Sequence, residues 1–292
     1  MNSVNLRHPY HLVDPSPWPI LGGFAAFVFA SGLIFSFKHG PAILVLGLIS
    51  VLLVTFGWFR DITREGLGGK HTTKVQSGLM LGVLLFLGSE VLLFISFFWA
   101  YFHSSLSPDI VLGGVWPPIG IVSVDPWSIP LLGSIILLSS GATCTVAHNA
   151  LINGNKDLAV ATMFATVVLG FLFVGLQATE YYVSEFSIAD SIFGTVFYMT
   201  TGLHGTHVII GAIFLTVMLV RMVRDQFTTH HHLGLEFSLW YWHMVDVIWL
   251  FVFLTYYWWG STYSNANDAR HHLHYYPLII GVLIINYRKY MY

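Results

Sequence analysis

Long apolar runs separated by short polar breaks run through the chain from end to end. A helix needs about 20 mostly apolar residues to cross a bilayer. Seven stretches meet that requirement: 18–37, 42–59, 75–102, 129–152, 158–182, 192–220 and 234–259. Each break has a local reason to be a loop. Lys38-His39-Gly40-Pro41 reads as a tight polar turn, and 60–74 gathers charge together with Gly66, Gly68 and Gly69. The break at 107–130 holds Pro108, Pro117, Pro118, Pro126 and Pro130, which a helix interior does not tolerate. Asn153-Gly154-Asn155-Lys156-Asp157 reads as a short turn whose Asp157 caps the helix that follows. The third and sixth runs, each about 28 residues and about 42 Å long, exceed what a bilayer needs and are expected to tilt or protrude. The pattern predicts an all-α membrane protein with seven spans over 1–260. A tail over 261–292 follows, whose apolar stretch 277–285 is too short to span.

Composition narrows the class. Charged residues make up 9% and apolar residues 55% of the 292 positions, and mean hydropathy is +0.71. Soluble domains carry about 25% charged residues, so this chain cannot clothe a water-facing surface. A soluble enzyme, a disordered chain and a nucleic-acid binder, which needs a basic stripe, are all excluded. The lone cysteine, Cys144, excludes a disulfide framework and any cysteine-based zinc or iron–sulfur site. Arg7, Arg60, Arg64, Lys70, Lys74, Lys156, Arg221 and Arg224 fall on the side shared with the N-terminus. Only Lys38, Arg270, Arg288 and Lys289 fall on the other. The positive-inside rule therefore places the N-terminus inside and the C-terminus outside. No signal peptide precedes the first span, and 1–17 is too poor in Arg for a transit peptide, so synthesis beside the membrane is expected.

Ionisable groups within spans are the strongest chemical clue, because each costs several kcal/mol unless paired or neutralised. Glu90 lies near the middle of the third span, with Phe94, Phe97 and Tyr101 on its stripe and no basic residue nearby on that helix. An unpaired carboxyl in that setting is expected to be protonated much of the time. Two readings stand: a proton-active or lipid-contacting carboxyl, and a neutral acid hydrogen-bonded to a neighbouring helix. The sixth span carries Thr200, His204, His207 and Gly211 on one stripe, and the seventh carries Glu236, Trp240 and His243, with Asp246 a turn beyond. A bis-histidine haem site usually shows paired His about 13–14 residues apart on facing helices, which is absent here. These side chains, with His148 of the fourth span, read as interhelical polar contacts, a metal-ligand role being the alternative. The expectation is that the chain holds no metal. Glu180 and Glu185 are expected to meet water at a membrane face. Arg221, Arg224, His230, His231 and His232 suit an anionic lipid headgroup, as do His71 and Lys74. Ordinary positive-inside topology also accounts for the two arginines.

Several motifs together resemble one family. They are His8-Pro9-Tyr10-His11-Leu12-Val13-Asp14-Pro15-Ser16-Pro17-Trp18-Pro19, Ser89-Glu90-Val91 and Phe97-Phe98-Trp99-Ala100-Tyr101-Phe102-His103-Ser104-Ser105-Leu106. Trp116-Pro117-Pro118, Asp125-Pro126-Trp127, Leu138-Ser139-Ser140-Gly141, Glu180-Tyr181-Tyr182 and Asp190-Ser191 follow in order. Gly202-Leu203-His204-Gly205, His207-Val208-Ile209-Ile210-Gly211 and Trp240-Tyr241-Trp242-His243-Met244-Val245-Asp246-Val247-Ile248-Trp249-Leu250 complete the series. The chain resembles cytochrome c oxidase subunit III of the mitochondrial type over about residues 7–260.

That resemblance implies seven helices in two groups, the first two and the last five, separated by a V-shaped cleft filled with phospholipid. It implies a subunit without redox centres that packs beside subunit I, where haem a and copper reduce oxygen and protons are pumped. It implies a location in the mitochondrial inner membrane, N-terminus in the matrix and C-terminus in the intermembrane space. Such a subunit steadies the catalytic core and supports proton uptake, and Glu90 matches the family's intramembrane glutamate. Two rivals are an independent transporter or proton channel with Glu90, His204, His207, His243 and Asp246 as a relay, and a haem-carrying electron-transfer subunit. Paired spans broken by Gly or Pro, and an internal repeat, are missing for the first. The histidine spacing disfavours the second.

Overall fold

A computed structural model of the chain describes residues 8–262. Arg7, the C-terminus and all but the first two residues of the 261–292 tail lie outside the described residues. Among the described residues, seven helices are long and apolar enough to cross a membrane. They are α1 (Trp18–His39), α2 (Ala42–Leu67), α3 (Thr73–Ser105), α4 (Ile129–Ile152), α5 (Lys156–Val183), α6 (Ser191–Val223) and α7 (Leu233–Val252). A π-helical segment, Phe253–Trp259, continues α7 to the end of the last span.

Helix ends differ from the apolar runs in an instructive way. α2 reaches Leu67, well past the first charge at Arg60, and α3 and α6 each extend to 33 residues, about 50 Å. Charge marks where a chain leaves hydrocarbon, whereas a helix stops where its backbone is redirected. The α2–α3 turn does this at Gly69, whose φ is +75°. At α5 the cap is Asn155 rather than Asp157: the Asn155 side chain accepts from the Leu158 amide at 3.2 Å, while Asp157 sits in the first turn.

The chain forms two compact units, one up to Val83 and one from Leu84 onward. In the first, α1 and α2 pack as a hairpin through small residues. A Cβ added at Gly32 would lie 2.6 Å from the Leu44 nitrogen, and one at Gly47 would lie 2.5 Å from the Phe29 Cα. The two backbones therefore touch, as small residues at a membrane interface allow. Trp18 covers Gly57 and donates its indole N–H to Asp61 at 2.7 Å. The segment before α1 folds back onto the α2–α3 turn, where Lys70 donates to Asp14 at 3.0 Å and the Thr72 hydroxyl to the Pro9 carbonyl.

In the second unit the remainder of α3 and α4 to α7 surround an aromatic core. Trp242 and Trp249 of α7 are fully buried and donate to Ser140 and Ser134 of α4, each at 2.9 Å. Gly170 of α5 and Gly211 of α6 lie against the Trp242 ring, where an added Cβ would approach within 2.7 and 2.9 Å. In the proline-rich connection after α3, Trp116 is buried and donates to the Tyr101 hydroxyl at 3.1 Å.

Candidate functional site

The middle of α3 and the middle of α6 meet at one ionisable pair. The Glu90 carboxylate oxygen lies 2.7 Å from His207 Nε2. The other ring nitrogen of His207 lies 2.8 Å from the Leu203 carbonyl one turn back on α6. A carbonyl only accepts, so Nδ1 carries a hydrogen and donates. One further proton then lies between Glu90 and Nε2, held on the acid or on the imidazole. Phe94 packs edge-on against the His207 ring at 5.1 Å, and Tyr241 stacks on it at 6.2 Å. The pair is largely buried, with 9% of the His207 and 20% of the Glu90 side chain exposed. The sequence offered Glu90 no base because it was sought on the same helix. The partner comes from 117 residues away.

The other ionisable groups of the spans sort into distinct settings. His204 is buried, with Nε2 3.3 Å from the Val245 carbonyl, linking α6 to α7. Asp246 is buried beside Gly141 of α4. His243 is exposed overall, with its Nδ1 3.7 Å from where a Cβ on Gly141 of α4 would lie, and Trp242, Val245, Asp246 and Trp249 take the buried face of α7 at this level.

Glu180 corrects a second expectation. It does not meet water: it is buried and accepts hydrogen bonds from Gln177 and from the Tyr257 hydroxyl. Glu185, by contrast, is exposed. The π segment accounts for this difference. Its wider turn brings the consecutive Tyr256 and Tyr257 both inward, Tyr256 to Thr200 of α6 at 2.7 Å and Tyr257 to Glu180 of α5.

At the end of the bundle carrying Arg221 and Arg224, the basic residues part company. Arg224, His230 and His231 are exposed, as is Lys74 at the start of α3 in the first unit. Arg221 donates from Nε to Gln226 at 3.1 Å and lies 4.5 Å over the Phe227 ring, so one edge of its guanidinium is already engaged. His232 is buried and turned inward. Its Nε2 lies 3.3 Å from His148 Nε2 of α4 and 3.2 Å from the Glu236 carboxylate in the first turn of α7. His148, His232 and Glu236 thus converge, as do His11, Glu65 and His71 in the first unit, where the His11–Glu65 contact is 4.0 Å. Spacing along single helices could reveal neither group, since each joins separate segments.

The comparisons with known proteins agree with this architecture. Residues 8–261 match the family model for cytochrome c oxidase subunit III. Cytochrome c oxidase subunit 3 of Carassius auratus is 50% identical over 256 residues, 87% of this chain and 98% of the relative. The Coturnix japonica protein of the same name is 51% identical with the same coverage. That of Triticum aestivum is 52% identical over 259 residues, again 87% of this chain and 98% of the relative. The chain, whose described residues include seven helices able to cross a membrane, belongs to the cytochrome c oxidase subunit III family.

Proposed function

We propose that this oxidase subunit works without a redox centre of its own. It steadies the catalytic subunit, subunit I, binds phospholipid and supports proton uptake, while haem a and copper in neighbouring subunits carry electrons from cytochrome c to oxygen. The setting is the mitochondrial inner membrane, with the N-terminus in the matrix. The observation that carries this reading is the Glu90–His207 pair: a carboxyl and an imidazole 2.7 Å apart at mid-helix between α3 and α6, walled by Phe94 and Tyr241. The arrangement suits holding a proton, not passing electrons. His204 and His207 stand three apart on one helix and cannot flank a single haem. Broad apolar faces support the structural and lipid-binding part. Only 11% of the most apolar window of α1 and of α2 is buried, against 50% for α7.

Glu90→Gln in the intact oxidase tests the proton role. The amide keeps a hydrogen bond to His207 but cannot exchange a proton. Assembly and haem spectra are expected to stay unchanged, while proton uptake slows several-fold and labelling by a hydrophobic carbodiimide disappears. Uptake and catalytic lifetime identical to the unaltered enzyme would remove Glu90 from the reading.

A further inference from the structure

We propose that His148, His232 and Glu236 form a binding site for a tetrahedral divalent cation of the zinc class, joining the C-terminal end of α4 to the start of α7. Three independent features of the geometry lead there.

The first is the distance set. Zinc binds imidazole nitrogen and carboxylate oxygen at about 2.0–2.2 Å with tetrahedral angles, which sets neighbouring ligand atoms about 3.3–3.5 Å apart. The observed separations are 3.3 Å between the two Nε2 atoms and 3.2 Å from His232 Nε2 to the Glu236 oxygen. All three ligand atoms lie within 4.8 Å of one another.

The second feature is the tautomer of His232. Its Nδ1 lies 3.0 Å from the Thr228 carbonyl, which can only accept, so Nδ1 carries the hydrogen and Nε2 presents its lone pair. An outer carbonyl that fixes the ring in this way is the usual support of a metal-binding histidine. His232 Nε2 then faces a second imidazole nitrogen and a carboxylate oxygen together. A proton at Nε2 can bridge to only one of them at a time, whereas one divalent cation satisfies all three.

Placement is the third. His232 is buried, while His148 and Glu236 are partly exposed, so the cluster opens on one side to water and leaves a fourth position for it. The segments involved are otherwise separate: the two histidines are 84 residues apart along the chain. Imidazole and carboxylate donors without thiolate suit zinc and similar borderline cations, and a redox role is not part of the assignment. Bound there, the cation pins the loop before α7 to α4 and neutralises Glu236.

Zinc itself, added to the intact oxidase, is the probe. Equilibrium dialysis against micromolar zinc is expected to show one equivalent lost in His148→Ala and affinity weakened at least 10-fold in Glu236→Gln, which keeps the side-chain shape. Glu65→Gln, in the separate His11–Glu65–His71 group, is expected to leave that equivalent in place. A map of the zinc-treated complex is expected to show anomalous density among the three side chains, about 2.0–2.2 Å from each ligand atom. Unchanged zinc stoichiometry in both His148→Ala and Glu236→Gln, or a map without density there, overturns the proposal. Loss of the equivalent in Glu65→Gln alone also overturns it, by moving the metal to the other group.

Discussion

Trp242 shows how single residues set the spacing of whole helices. It extends from α7, donates to Ser140 of α4, and lies flat against Gly170 of α5 and Gly211 of α6. A methyl group at Gly211 would sit 2.9 Å from the indole, a rigid ring with nowhere to retreat. Overpacking of this kind costs about 1–3 kcal/mol. Gly211→Ala is therefore expected to lower the thermal stability of the complex by that order, read as a shift of its unfolding midpoint, with Gly205→Ala as the control. Nothing lies within 4 Å of a Cβ at Gly205. Glycines at 170, 202, 205 and 211 look alike along the sequence. Which of them faces a tryptophan is a tertiary fact.

Residue-scale chemistry was legible in part for the same reason. Glu90 and His207 each stood out as polar groups within apolar runs, but their pairing required two helices to be placed side by side. Glu180 lies near a run's end, where charge ordinarily meets water, and nothing along the sequence signals its burial. The tyrosine that buries it arrives from 77 residues away.

At the scale of elements, the π segment carries a test of its own. Tyr257→Phe removes a buried hydroxyl that donates to Glu180, leaving that carboxyl to Gln177 alone. Loss of one partner from a buried polar group costs about 1–3 kcal/mol. The variant is expected to unfold earlier by that order, whereas Tyr182→Phe, at an exposed position, is expected to change little.

The segment before α1 offers a pH-dependent test. Its Asp14 is held below its ordinary value of 3.8, chiefly by the hydrogen bond from Lys70 and then by that lysine's charge. A depressed carboxyl contributes docking that is complete above its ordinary range and is lost as pH falls through the lowered value. Hydrogen exchange of 8–16 is expected to quicken only at strongly acidic pH, whereas in Lys70→Ala it is expected to be quicker throughout, with the acid step lost. Identical profiles in the two proteins would show that the contact has no influence.

Elements themselves were read well where the signal was hydropathy. All seven spans are helices, and the turn at Gly40-Pro41 lies between α1 and α2. The ends of α2, α3 and α6 were read short, because apolar length reports membrane thickness rather than helix length. The π turn left no mark in the pattern, since widening from 3.6 residues per turn depends on the partners it reaches.

For the molecule as a whole, scarcity of charge carries the most information. With 9% charged residues, the chain has too few ionisable groups to clothe a soluble surface. Several of those inside the spans are tied up locally: Glu90 with His207, Glu180 with Tyr257, His204 Nε2 with a backbone carbonyl, while the buried Asp246 leaves Oδ1 without a hydrogen-bond partner. Such a molecule suits the proposed role, in which lipid and other oxidase subunits surround it and its contribution is to their performance. The most direct measurement follows from this. Turnover and proton uptake are compared in the same purified oxidase with and without this chain, alongside optical spectra of the haem. The account predicts unchanged haem absorbance, slower proton uptake, and activity that decays over far fewer turnovers when the chain is removed. Haem absorbance that vanishes with the chain, or uptake and catalytic lifetime that do not change, would contradict it.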